Sequence, residues 1–124
     1  MILVDTSVWI GHLRHGDPTL SAWLDAGSVL MHPYVLGELA LGNLRARGIV
    51  LGSMAALPQA IVATPAEVLE LIERGGLSGR GVGYVDAHLL ASIRLTPGSA
   101  LWTADVRLRA LSEELGLAVG PSLS

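Results

Sequence analysis

The sequence predicts one α/β domain over residues 1–124, a three-layer α/β/α sandwich with helices on both faces of a central parallel sheet. Three observations carry that expectation. Short apolar, β-branched runs alternate with segments of helical periodicity, the pattern of strands joined by helical crossovers. At 124 residues the chain has the size of a single core. Hydrophobic residues make up 51% of it and charged ones 15%, against about 25% charged in an average globular protein, so it can fill that core and is not disordered.

The elements follow in order. Ile2-Leu3-Val4 is a buried strand running into Asp5-Thr6-Ser7, a capping triplet for a helix from Val8 to Arg14. Asp17-Pro18 combines an N-cap with proline at the first helical position, and its helix carries Leu20, Trp23 and Leu24 on one face until Gly27. Val29-Leu30-Met31 is a second strand. Leu36, Leu39, Ala40 and Leu44 lie at helical spacing between Tyr34 and Arg47, with Gly48 as the stop, and a further helix spans Val50 to Leu57 before Pro58. Ala60-Ile61-Val62 is a short strand. Thr64-Pro65-Ala66-Glu67 is a capping box opening an amphipathic helix through Ile72. Gly75 to Gly83 is a glycine-rich loop, Val82 to Leu95 a helix, Ala100-Leu101-Trp102 a strand, and Val106 to Leu115 a helix that ends at Gly116. Leu117 to Val119 adds a last strand. In such sheets ligands bind beyond the carboxyl ends of the strands.

Composition excludes several activities. All eight basic residues are arginine, which removes Walker A loops, Schiff-base enzymes and kinases, each of which needs a specific lysine. Without cysteine there is no disulfide, thiolate zinc site or cysteine nucleophile. The net charge of −3 argues against a nonspecific binder of nucleic acid through a basic field. No apolar run reaches the roughly 18–20 residues of a membrane span, and Met1-Ile2-Leu3-Val4 lacks the features of a signal peptide, so the expected location is cytoplasmic with no membrane partner. A mean hydropathy of +0.54 leaves apolar surface beyond the core, which points to a homodimer or a permanent partner.

Four acids stand where a core or a strand end is expected. Asp5 and Asp105 each follow a strand, and taken singly each reads as an N-cap, although neither has Glu or Gln three residues on. Glu38 lies in a largely apolar helix, with a solvated face as the alternative. Asp86 is flanked at four residues by Val82 and Leu90, and an acid inside an apolar stripe costs several kcal/mol unless something pairs with it. With no lysine, the partners open to it are arginines, histidines or a cation. Clustered carboxylates suit Mg2+ or Mn2+, hard ions that take oxygen ligands and leave positions for water and a substrate phosphate.

Val4-Asp5-Thr6-Ser7, Gly37-Glu38-Leu39-Ala40, Tyr84-Val85-Asp86-Ala87 and Trp102-Thr103-Ala104-Asp105, in that order across nearly the whole chain, resemble the motifs of PIN-domain nucleases, most closely the VapC toxins of bacterial toxin–antitoxin pairs. The resemblance implies a parallel sheet with Asp5, Glu38, Asp86 and Asp105 as catalytic and metal-site acids, Ser7 and Thr103 as hydroxyls beside them, and Mg2+ or Mn2+ as cofactor. It also implies endoribonuclease activity on an RNA such as tRNA or rRNA, leaving a 5′-phosphate and a 3′-hydroxyl, together with a homodimer and a VapB-like antitoxin. Two rival readings are a housekeeping PIN nuclease of RNA maturation and a noncatalytic protein-binding module. A phosphatase using Asp5 as nucleophile is disfavoured by the missing lysine and by the absence of a second aspartate at position 7.

Weaker signals surround these. Arg80 sits in the glycine-rich loop leading to Asp86 and is placed for an RNA phosphate, with Arg45, Arg47, Arg107 and Arg109 as further candidates. His12, His15, His32 and His88 lack metal-ligand spacing and read as surface or partly buried residues. Trp9, Trp23 and Trp102 read as core and interface anchors rather than base-stacking rings.

Overall fold

Three short apolar runs make the sheet: β1 (Ile2–Val4), β2 (Val29–Leu30) and β3 (Ala100–Trp102), all parallel, in the order β2-β1-β3. The structure is a computed structural model and describes residues 1–119. Leu3 pairs with Leu30 on one side and Leu101 on the other, and all three are buried. Strands covered on both faces read as continuous apolar runs, which is why these segments were legible. Each edge is extended by a single parallel bridge, Met31 with Gln59 and Leu101 with Ala118.

The crossovers set the layers. From β1 the chain reaches β2 through α1 (Thr6–His15) and α2 (Pro18–Asp25), and goes on to Gln59 through α3 (Pro33–Ala40) and α4 (Arg47–Ala55), moving one way across the sheet. It returns through α5 (Pro65–Gly75) and α6 (Tyr84–Leu95) to β3 on the far side of β1, then through α7 (Val106–Glu114) to Ala118. Right-handed crossovers place α1–α4 on one face and α5–α7 on the other. The packing of α1 on α3, α3 on α4 and α5 on α6 follows that division. The expected three layers are therefore present, and among the described residues no helix is long and apolar enough to cross a membrane.

Local chemistry starts the helices where expected. Asp17 accepts the amides of Thr19 and Leu20 at 2.9 and 3.1 Å, and Thr64 and Glu67 form both halves of the capping box. Four expectations are corrected. The helix read as Tyr34 to Arg47 stops at Ala40, because the Arg47 guanidinium, from the first turn of α4, reaches back to the carbonyls of Ala40 and Gly42 and satisfies acceptors that a helix end leaves orphaned. Ala60–Val62 is not a strand: pairing with Met31 comes from Pro58 and Ala60, while the Ile61 amide goes to the Thr96 hydroxyl. Helix α6 begins at Tyr84 rather than Val82, since Gly81 at φ 77° holds the chain outside the helical region. Leu117–Val119 bonds along Leu101, as a bridge rather than a strand.

Candidate active site

The direction of crossing reverses between β1 and β3, and in a doubly wound sheet that reversal opens a crevice beyond the strand ends. Asp5 follows β1 and Asp105 follows β3, so both acids stand at this crevice. Asp5 occupies the N-cap position of α1 without making a cap hydrogen bond, and it is buried. Its Oδ2 accepts from the Ser7 and Thr103 hydroxyls, each at 2.8 Å. Ser7 Oγ in turn accepts the Ala104 amide at 3.1 Å, and Thr103 Oγ1 accepts the Asp105 amide at 3.0 Å. Two hydroxyls thus lock the buried carboxylate to the turn that carries the next acid.

The other acids come from both helical layers. Asp105 caps α7 through Oδ1 on the Leu108 amide at 2.9 Å. Asp86, half-buried, accepts the Gly83 amide at Oδ2 at 2.9 Å, the acid's half of a capping box. Glu38 is exposed on α3, and its Oε1 accepts the Thr6 hydroxyl at 2.9 Å. A common arrangement emerges: each acid commits one oxygen to holding its own position. Among the described residues no hydrogen bond engages Asp5 Oδ1, Glu38 Oε2, Asp86 Oδ1 or Asp105 Oδ2.

Electrostatics tie the four together. Burial raises the Asp86 carboxyl above its ordinary range, the Gly83 amide opposes that, and the charges of Asp5, Asp105 and Glu38 raise it further. None of the four forms an ion pair among the described residues, whose salt bridges join Arg74 to Glu70, Arg80 to Glu114 and Arg109 to Glu113. Mutually repelling carboxylates without a cationic side chain fit a hard divalent ion. No three acidic or imidazole groups among the described residues form a ready ion cage. Mg2+ needs none, because it binds through one or two carboxylates and completes its shell with water and substrate phosphate.

A family model described as the PIN domain matches residues 2–114. The chain is a PIN domain. It is 49% identical to Ribonuclease VapC32 of Mycobacterium tuberculosis, in two strains, over all 124 residues and the whole of that protein, and so belongs with the VapC-type members. The FitAB complex bound to an IR36 DNA fragment contains a chain of the same fold, with a TM-score of 0.66 at 18% identity, covering 100% of this chain and 96% of that one.

The structure separates the remaining residues of this PIN domain. Arg80 is paired with Glu114 at 2.9 Å, at the end of α7 remote from Asp105. Arg47 caps α3 and Arg109 pairs with Glu113. Arg107 lies against Gly81, two residues before the amide that holds Asp86. His32 and His88, which the sequence reads as surface or partly buried, are fully buried, at 0% and 1% exposure. His32 accepts the Tyr34 amide at Nδ1, serving as the N-cap of α3. Trp9 is buried, and Trp23 and Trp102 pack edge to face with ring centroids 5.0 Å apart. Sequence reasoning missed Thr6, the anchor of Glu38; its place between Asp5 and Ser7 was the available signal.

Proposed function

We propose that this PIN domain is a metal-dependent endoribonuclease, the toxin of a toxin–antitoxin pair, acting in the cytoplasm. The observation that carries the reading is the division of labour within each acid, one oxygen anchored and one oxygen without a protein partner, at the crevice of the sheet. Asp5, Asp86 and Asp105 would hold Mg2+ or Mn2+, with Glu38 completing the set. When bound, such ions activate water and stabilise the charge that develops on phosphate oxygens.

The chain's own residues do the positioning. Ser7 and Thr103 keep the Asp5 carboxylate from rotating, and the Asp105 turn is held by the same hydroxyl. Glu38, reachable from solvent, accepts a hydrogen bond from the attacking water and orients it toward phosphorus. The bond to the 3′ oxygen breaks as the new bond to phosphorus forms. The attacking water releases one proton to solvent and the 3′ oxygen takes one up, leaving a 3′-hydroxyl and a 5′-phosphate, and the 2′-hydroxyl plays no part. The 49% identity to a ribonuclease supports RNA as substrate, tRNA or rRNA among the cellular candidates.

A groove of about 580 Å³ supports the partner assignment. Ile10, Leu13, Leu39 and Val50 line it together with Arg14 and Arg45, and Glu38 contributes from the site itself. An apolar antitoxin segment would fill it, and an arginine beyond that segment could reach the acids with its fork of donors. Exposed Leu41, Ile49, Leu69 and Val106 leave further apolar surface for a homodimer.

The test uses purified protein and total RNA with Mg2+, with ends mapped after brief induction in cells. Cleavage leaving 5′-phosphates, lost in Asp5→Asn, together with growth arrest relieved by a co-expressed neighbouring protein, is the expected result. Cleavage without growth arrest or a copurifying neighbour favours the housekeeping nuclease. No cleavage under any divalent ion overturns the enzyme.

A further inference from the structure

The charges of α7 run against its dipole. Arg107 and Arg109 stand in its first turn and Glu113 and Glu114 in its last, whereas a helix favours acids at its start and bases at its end. Arg109 and Glu113 pair with each other along the helix. Arg107 and Glu114 make their contacts outside it, and both make them with the glycine-rich loop that leads to Asp86.

At an i, i+7 spacing, Arg107 and Glu114 share one face of α7, and the loop touches that face at both ends. The Arg80 guanidinium meets Glu114 at 2.9 Å. At the other end, a Cβ built on Gly81 would lie 2.6 Å from Arg107 Nη1, 2.8 Å from its Cδ and 3.2 Å from its Cζ. The arginine stem and guanidinium therefore fill the place a side chain would take, and Gly81, at φ 77°, is glycine for its backbone as well as for this contact. Among the described residues no backbone hydrogen bond ties Gly81 or Val82 to the rest of the fold. Arg107 thus supports the stretch that ends at Gly83, whose amide donates to Asp86 Oδ2 at 2.9 Å.

We infer that Arg107 is a positioning residue for Asp86: seated on Gly81, it keeps the loop in the form that brings the Gly83 amide to the carboxylate, and it does so from the turn that Asp105 caps. This rests on the reading of Asp86 as a metal-site acid. Asp105 accepts the amide of Leu108, the residue after Arg107, so a single turn of α7 carries one acid and supports the amide that aims another. Arginine suits the task because its long stem packs while its planar head covers a peptide without needing an acceptor. A carboxylate held in place before the ion arrives loses less freedom on binding it.

The test reads the Gly83 amide directly. In EDTA, amide exchange measured by NMR compares wild type with Arg107→Ala and Arg107→Met, using the Leu20 amide on Asp17 as the reference within the same protein. Arg107 is exposed, so neither variant opens the core. The Ala variant should speed exchange at Gly83 about fivefold or more relative to Leu20, and the Met variant, which keeps the stem, should restore most of the protection. Without RNA, Mn2+ affinity from water proton relaxation should fall about tenfold in the Ala variant and recover in the Met variant. Unchanged Gly83 exchange in the Ala variant overturns the positioning role, including where KM for RNA rises in both variants, which would assign Arg107 to a phosphate contact. Faster exchange with unchanged Mn2+ affinity also overturns it, since the contact then serves the loop alone. A wild type that binds no Mn2+ overturns the metal site and the inference with it. Faster exchange and weaker Mn2+ binding in a protein that cleaves no RNA keep the positioning role and overturn the ribonuclease reading.

Discussion

Thr103 Oγ1 donates to Asp5 Oδ2 at 2.8 Å across 98 positions of the chain and accepts the amide of Asp105 at 3.0 Å. One hydroxyl therefore connects the acid after the first strand to the acid after the third. Because Asp5 is buried, the connection lies in a low-dielectric environment where an unmade hydrogen bond is expensive.

Thr103→Val keeps the shape and removes this donor and acceptor. We expect a loss of about 1–3 kcal/mol in urea unfolding and a fall in RNA cleavage, because Asp5 gains rotational freedom. Thr103→Ser should recover most of both. Unchanged stability and activity in the Val variant would remove Thr103 from the positioning role.

Asp86 should make the metal-free protein less stable as pH rises. Its folded pKa is raised by burial and by the neighbouring acids, so its stabilising effect relative to the unfolded chain is complete below the unfolded value and is lost as pH climbs through the folded one. Asp86→Asn, measured in EDTA, should therefore gain stability relative to wild type from about pH 4 upward and then level off. Its cleavage activity should be abolished. A difference in stability that stays constant with pH would contradict the repulsion.

Mg2+ or Mn2+ should raise the melting temperature, since a ligand of the folded state stabilises it by mass action, and Asp86→Asn should respond less. Differential scanning fluorimetry across a millimolar titration checks this. Identical shifts in the two proteins would place the ion elsewhere.

His32 should make the protein less stable in acid. Its pKa is lowered to about 4, by burial first and by His88 second, from an ordinary value of 6.5. The depressed folded value means that stability is present above pH 6.5 and is lost as pH falls toward 4, by an amount of the order of 2–3 kcal/mol. Asn at this position can still accept the Tyr34 amide as an N-cap. His32→Asn should flatten the acid side of the stability profile, whatever its stability at neutral pH. A melting curve that falls as steeply in the variant would assign acid sensitivity to another group.

The sequence by itself determined the elements whose causes are local. Ile2–Val4 and Ala100–Trp102 are continuous apolar runs suited to burial on both faces, and Asp17-Pro18 and Thr64–Glu67 carry their own capping chemistry within three residues. The four acids stood out for a related reason, since a charge among apolar neighbours or at a strand end conflicts with its surroundings. Tertiary structure decided what depends on groups far apart in the chain. The break between α3 and α4 is closed by Arg47 folded back on Ala40, and the buried His88 of α6 meets Tyr34 of α3, 54 positions earlier in the chain. Above all, the anchoring of Asp5 by Thr103 and of Glu38 by Thr6 depends on donors 98 and 32 positions away brought together by the parallel crossovers, whereas Asp86 and Asp105 are held by amides three residues off. A pattern of residue types can mark an acid as out of place and a capping turn can orient Asp86 and Asp105, but Asp5 and Glu38 take their full set of partners only when distant hydroxyls meet them in the folded chain.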